Sequence, residues 1–180
     1  MLSINQYWLQ VDFLLQGAFE ASNDKCKKNN QDLGSKLNEL EDQVTNLTLA
    51  RIGCNDYNVL NDSRRKTTFF SKSDWSCDNA NKGYRLSPDW KGEGWYRVVG
   101  PAGTKLADSP IDLNHCGSAG PRYVQGSHPI LIGEIITTKA CYKQSSICTS
   151  PQDVKIRNCV KYFLYYLPET QSCWQGYCTV

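Results

Sequence analysis

Between residues 33 and 47 the apolar positions Leu33, Leu37, Leu40, Val44 and Leu47 are spaced alternately by four and three, with Lys36, Asn38, Glu39, Glu41, Asp42 and Gln43 between them. A repeat averaging 3.5 residues lays its side chains along one stripe of a helix, the a/d seam of a coiled coil. The seam lasts only about two to three heptads, too short to hold a helix in water unaided. It therefore predicts a helix over 23–53 that either pairs with a second helix or lies against the rest of the chain.

From residue 54 the period shortens. Gly94-Trp95-Tyr96-Arg97-Val98-Val99-Gly100 is a β-branched and aromatic run closed by Gly100-Pro101-Ala102-Gly103, a strand followed by a turn. Residues 130–132, 134–139 and 154–166 are further strand candidates. In the last, Val160, Tyr162, Leu164 and Tyr166 share one face, Cys159, Phe163, Tyr165 and Leu167 the other, and Pro168 ends the run. Residues 78–94, rich in Asn, Lys, Gly, Asp and Pro, predict an exposed loop. The expected fold class is mainly β: a small disulfide-rich β domain at 54–180, preceded by an N-terminal α-helix or short coiled coil.

The cysteines sharpen this picture. Eight of the nine, Cys54, Cys77, Cys116, Cys141, Cys148, Cys159, Cys173 and Cys178, fall in the β region. That density is expected of an oxidising compartment, so the chain is predicted to be secreted, with the eight as disulfide partners. Spacing leaves 105 connectivities for eight cysteines and selects none of them. Cys26, just upstream of the heptad seam, is a candidate for an interchain bridge; otherwise it is a free thiol or belongs to a segment removed on maturation. Residues 1–22 make a poor signal sequence: Gln10 and Asp12 interrupt the apolar stretch and no basic residue precedes it. The segment is expected to be a degraded or misassigned signal, with an amphipathic helix as the alternative.

Charge and hydropathy narrow the function classes. A net charge of +2 with interspersed signs disfavours nucleic acid as a partner. Mean hydropathy is −0.52 and no stretch approaches the roughly 20 apolar residues of a membrane span. His115 and His128 are the two histidines, and neither stands in a nucleophile motif. The gaps of four residues between Cys173 and Cys178 and six between Cys141 and Cys148 do not suit zinc, and the scattered carboxylates do not make a calcium loop. No catalytic residue, metal or cofactor is expected. Asn46-Leu47-Thr48 and Asn61-Asp62-Ser63 are N-glycosylation acceptors, the first off the heptad seam. Trp75, Trp90, Trp95, Tyr96, Trp174 and Tyr177 offer aromatic faces; Trp90 and Trp174, beside polar loop residues, are the candidate binding aromatics, whereas Trp95 and Tyr96 fit a core.

Particular residues also carry a resemblance. Cys54-Asn55-Asp56-Tyr57, Cys77-Asp78, the 94–100 run with Gly103, Tyr123-Val124-Gln125-Gly126-Ser127-His128-Pro129, Ala140-Cys141, Val154-Lys155 before Cys159, and Cys173 with Tyr177-Cys178 together resemble the uromodulin-like eight-cysteine domain family. The resemblance covers about two-thirds of the chain and implies an extracellular module. Two further cysteines carried by one member of that family are replaced here by Pro110 and Ile147, as expected of a bridge lost whole, so the remaining eight can close four bridges. An asparagine that carries a high-mannose decoy glycan in the family is Gln125 here. The family's usual epidermal-growth-factor-like or zona-pellucida neighbours are not in the chain, so uromodulin-type filaments do not carry over. The expected function is a secreted, non-enzymatic recognition or adhesion module for an extracellular protein or glycan, a homo-oligomer if the helix pairs. The alternative is a structural matrix or mucus component with no discrete ligand.

Overall fold

A computed structural model describes residues 4–51, 53–80, 85–145 and 148–180, with helix side chains from 15 to 48. The chain divides into two units, residues 1–48 and 49–180.

The first unit is one helix, α1 (Ile4–Arg51). It contains no proline and runs without a break through residue 22, where a boundary was expected. The side chains of residues 1–14 in the signal-like segment lie outside the described residues. The predicted seam is on its surface: Leu33, Leu37, Leu40, Val44 and Leu47 are 57–72% exposed. Local support is slight. The Asp32–Lys36 pair, 2.7 Å apart and exposed, is worth about 0.3–0.5 kcal/mol.

The second unit is a seven-stranded sheet of β1 (Asn58–Leu60), β2 (Gly94–Val98), β3 (Gly120–Val124), β4 (Ile135–Tyr142), β5 (Thr149–Asn158), β6 (Phe163–Leu167) and β7 (Gln175–Tyr177). Its order is β1-β2-β6-β5-β4-β3-β7, with β1/β2 and β3/β7 parallel and the other pairs antiparallel. The alternation of β2 points Tyr96 and Val98 inward; Val154 and Ile156 of β5 and Tyr165 and Leu167 of β6 join them in the core. Each large side chain buried there contributes about 1.5–3 kcal/mol.

Two strand expectations are corrected. Residues 130–132 form an exposed turn, 60–87% accessible, because Gly133 turns the chain at φ 79° and the Asn158 amide donates to the carbonyls of Pro129 and Ile130. The run at 154–166 is two strands. Val160 sits at φ 66° in the turn between them, its N–H donating to the Asn158 side chain. Cys159 consequently leaves the Tyr165 face and packs with Cys54 and Leu164 in a separate cluster.

The eight cysteines close four bridges: Cys54–Cys159, Cys77–Cys173, Cys116–Cys178 and Cys141–Cys148. Three close long loops, with sequence separations of 105, 96 and 62; the fourth closes seven residues across the β4–β5 turn. Pro110 is exposed, and Ile147 lies outside the described residues. Cys26 is a free, exposed thiol.

Candidate functional site

The expected loop at 78–94 is drawn inward by charge. Arg65, the buried last residue of the short turn Ser63–Arg65, makes paired bonds to Asp78 and Asp89 at 2.5–2.9 Å. Asp78 also accepts from the Tyr177 N–H, and Asp89 from the N–H groups of Asn61 and Asp62. Burial pulls against the charge of the Arg65 guanidinium, but the facing carboxylates outweigh it and hold the arginine firmly protonated. Burial likewise opposes the charge of Asp89; its bonds to Arg65 prevail and keep the carboxyl below the ordinary aspartate range.

This cluster decides what the aromatics do. Trp90, next to Asp89, is only 2% exposed, stacked 4.8 Å from Tyr96 and 5.9 Å from Tyr177. Its expected role as a binding aromatic is therefore corrected: the ring is core. Trp174 is 42% exposed. It stands at φ 75° just before β7, a left-handed conformation rare for a bulky side chain, and its carbonyl accepts from the Ser118 hydroxyl at 2.6 Å and the Gly120 N–H at 2.8 Å. The Cys77–Cys173 bridge anchors the preceding residue. Trp75, edge-on at 5.5 Å with its indole N–H held by the Ser71 carbonyl, braces the ring.

Trp174 lines a groove of about 260 Å³ with Leu113, Gly120, Tyr142, Gln144, Ser172 and Gln175. Among the described residues, no ionised side chain lines it. A Cβ at Gly120 would come within 3.1 Å of Gln175 and 3.5 Å of Tyr142, so glycine keeps the floor open. The Tyr142 hydroxyl donates to Gln144 at 2.9 Å. An aromatic face beside amides and hydroxyls can stack on the C–H face of a sugar ring while bonding its hydroxyls.

Trp95, expected in the core, packs half-buried against the smaller Cys54, Cys159 and Leu164 cluster, on the face of β2 opposite Tyr96, with Tyr166 at 5.6 Å and the Arg157 guanidinium 4.8 Å from its ring. Arg97 covers Tyr162 at 3.8 Å in the same manner. The strand parity of β2 carried this signal: Trp95 and Arg97 alternate with the inward Tyr96 and Val98.

The histidines have structural partners. His115 Nδ1 lies 2.7 Å from the Thr67 carbonyl. His128 Nε2 lies 2.9 Å from the Tyr165 hydroxyl, which accepts from the Leu106 N–H and so has its proton to give. Burial lowers the His128 pKa, Lys105 adding to the effect and Asp108 opposing it. Among the described residues, no three His, Cys, Asp or Glu side chains gather to hold a metal ion, and no helix is long and apolar enough to cross a membrane. Asn46 and Asn61 are both exposed.

The four-bridge β unit has counterparts among known proteins. Residues 96–179 match the family model of the uromodulin-like domain. The chain carries a uromodulin-like domain, whose matched residues hold six of the eight bridged cysteines. It is 30% identical over 131 residues to the pancreatic secretory granule membrane major glycoprotein GP2 of Rattus norvegicus, covering 70% of this chain and 22% of that protein. The GP2 of Mus musculus is 31% identical over 132 residues, with 70% and 23% covered. Uromodulin of Rattus norvegicus is 28% identical over 128 residues, with 70% and 18% covered. The chain thus spans about a fifth of the length of these relatives. The family match begins at Tyr96, downstream of Cys54 and Cys77, yet both of those cysteines bridge into it.

Proposed function

We propose that the chain is a secreted, non-enzymatic recognition and adhesion module whose Trp174 groove takes an uncharged sugar ring of an extracellular glycan. The carrying observation is the backbone of Trp174: a bulky aromatic held at φ 75° by two bonds to its carbonyl, with its ring half-exposed over an uncharged groove. Strain of that kind costs on the order of 1–3 kcal/mol and persists where the surroundings over-determine it, which is characteristic of binding sites. The uromodulin-like relationship supports the extracellular setting. The helix joins copies of the chain, so that several weak grooves act together. The exposed Asn46 and Asn61 carry N-glycans, which keep their surroundings soluble.

The test is binding of full-length secreted protein to an array of neutral and anionic glycans, with Trp174→Ala alongside. Saturable binding to neutral glycans, reduced at least tenfold by Trp174→Ala, is expected. Binding that Trp174→Ala leaves unchanged sinks the groove. No glycan binding, together with protein that resists extraction without reductant, would instead favour the matrix-component role.

A further inference from the structure

If the helix joins copies, the register of its seam fixes how they meet. With Leu33, Leu40 and Leu47 at d and Leu37 and Val44 at a, the same register carried back places Phe19 and Cys26 at d, and Asn23 and Asn30 at a. All of them lie on the one uninterrupted helix, with Phe19 72% exposed and the Cys26 thiol exposed. Cys26 therefore sits within the stripe, one heptad before Leu33. We infer that two copies of the chain pair through Phe19–Leu47 as a parallel, in-register, two-stranded coiled coil in which Cys26 of one is disulfide-bonded to Cys26 of the other. This rests on the reading that the helix assembles the protein.

Reach, layer chemistry and charge agree. Paired helix axes lie about 8–10 Å apart and each Cα about 2.3 Å off its axis, so facing seam positions stand roughly 5 Å apart, inside the roughly 4.4–6.8 Å that a disulfide spans. Leucine at successive d positions with the β-branched Val44 at a favours two strands. Asn23 and Asn30 bracket Cys26 in the a layers, where a parallel in-register pairing sets each amide against its own copy and lets it hydrogen-bond across the seam. Lys36 occupies a g position and Glu41 the e position five residues on; in a parallel dimer each Lys36 meets the Glu41 of the second copy, once on either side. The other g–e pairs of this span, Ser22 with Lys27, Asn29 with Gly34 and Gln43 with Thr48, set no like charges together. An antiparallel pair centred on the seam would face Cys26 with residues of the Leu40 end, where the helix has no cysteine.

The bond forms by exchange with an oxidising disulfide of the secretory route. One Cys26 thiolate attacks that disulfide and releases one thiol; the second Cys26 thiolate then displaces the other. The two Cys26 thiols lose two protons and two electrons in all, and the oxidant leaves as two thiols.

The experiment uses the full chain secreted from a eukaryotic host, with N-glycans removed, measured by denaturing intact mass with and without reductant and by native light scattering. The expected unreduced denatured mass is twice that of the chain, halving on reduction. Cys26→Ser should lose the covalent link yet scatter as a dimer at high concentration. Adding Leu40→Cys to Cys26→Ser should restore a homodimeric link, because a parallel, in-register pair brings position 40 against itself, whereas an antiparallel pair centred on the seam sets it against position 26. A monomer at every concentration overturns both this arrangement and the assembly reading. A trimer, a dimer without the Cys26 link, or a Leu40→Cys chain that stays unlinked overturns the parallel pair alone.

Discussion

The helix and the sheet solve the same problem by opposite means. In residues 54–180 the apolar side chains face one another, and four bridges fasten the loops; Tyr96, Val124, Ile156, Tyr165 and Leu167 are at most 3% exposed. In the helix the apolar stripe is as regular as any strand, yet its residues are 57–72% exposed. A β unit that buries its own pattern carries its stability within one chain. Under the pairing proposed above, a helix that displays its pattern borrows stability from a second copy of the chain. The β unit should therefore respond to changes in its own bonds, and the helix to protein concentration.

The largest effect expected follows from the bridges. Removing Cys54–Cys159 by paired serine substitution should cost about 4–5 kcal/mol in urea unfolding, because it frees a loop of 105 residues, whereas removing Cys141–Cys148, which closes seven, should cost about 2 kcal/mol. Helix circular dichroism at fixed concentration should not change in either case. Equal losses from both bridges would mean that loop entropy does not govern this unit. Next is Arg65→Met, which strands Asp78 and Asp89 in the interior and should destabilise the β unit by about 3–5 kcal/mol, read from the same urea midpoints. A loss under about 1 kcal/mol would mean that water reaches the two carboxylates.

These two predictions also mark where the sequence was legible. The heptad stripe and the Gly94–Val98 strand were visible because their periods are local. Trp90 and the turn at 130–132 were not. Trp90 sits in a stretch of polar turn residues, and what buries it is the pairing of Asp89 with Arg65, 24 positions away, which leaves no trace in local periodicity. At 130–132, Ile130-Leu131-Ile132 has strand composition, but the Asn158 amide, at the end of β5, captures the carbonyls of Pro129 and Ile130. Trp174 was singled out by its polar neighbours. Its left-handed backbone, on which the proposed binding role rests, is held by Ser118 and Gly120 more than 50 residues upstream and could not be read from sequence.

A smaller effect comes from pH. His128 has its folded pKa lowered, chiefly by burial, and its neutral ring accepts the Tyr165 hydroxyl proton. The unfolded chain then binds more protons than the folded one as pH falls below about 6.5. Stability is full above that pH and should decline as the pH falls below it, because the buried imidazole is forced to charge. His128→Gln should flatten this part of the profile. A midpoint that stays level from pH 7 to 5 in the wild type would show that the His128 ring charges at no cost to the fold. The helix, with no histidine from Ile4 to Arg51, should show no change in the same window.

The smallest change separates the two units most cleanly. Gly34 lies inside the helix at an e position, beside Leu33 of the stripe, and a Cβ there meets nothing within 4 Å. Glycine in a helix interior costs about 0.5–1 kcal/mol relative to alanine, mainly through the backbone freedom it gives up on folding. Gly34→Ala should therefore raise the thermal midpoint of the helix signal by a few degrees and leave the near-ultraviolet transition of the β unit where it was. Because the two helices of a dimer both gain, the shift should roughly double the free-energy benefit per assembly and lower the concentration at which scattering reports a dimer. If alanine instead raises that concentration, its methyl group meets the second helix, which would make position 34 part of the contact surface itself. If both transitions move together, the two units do not unfold independently, and the contrast between a self-sufficient sheet and a dependent helix fails.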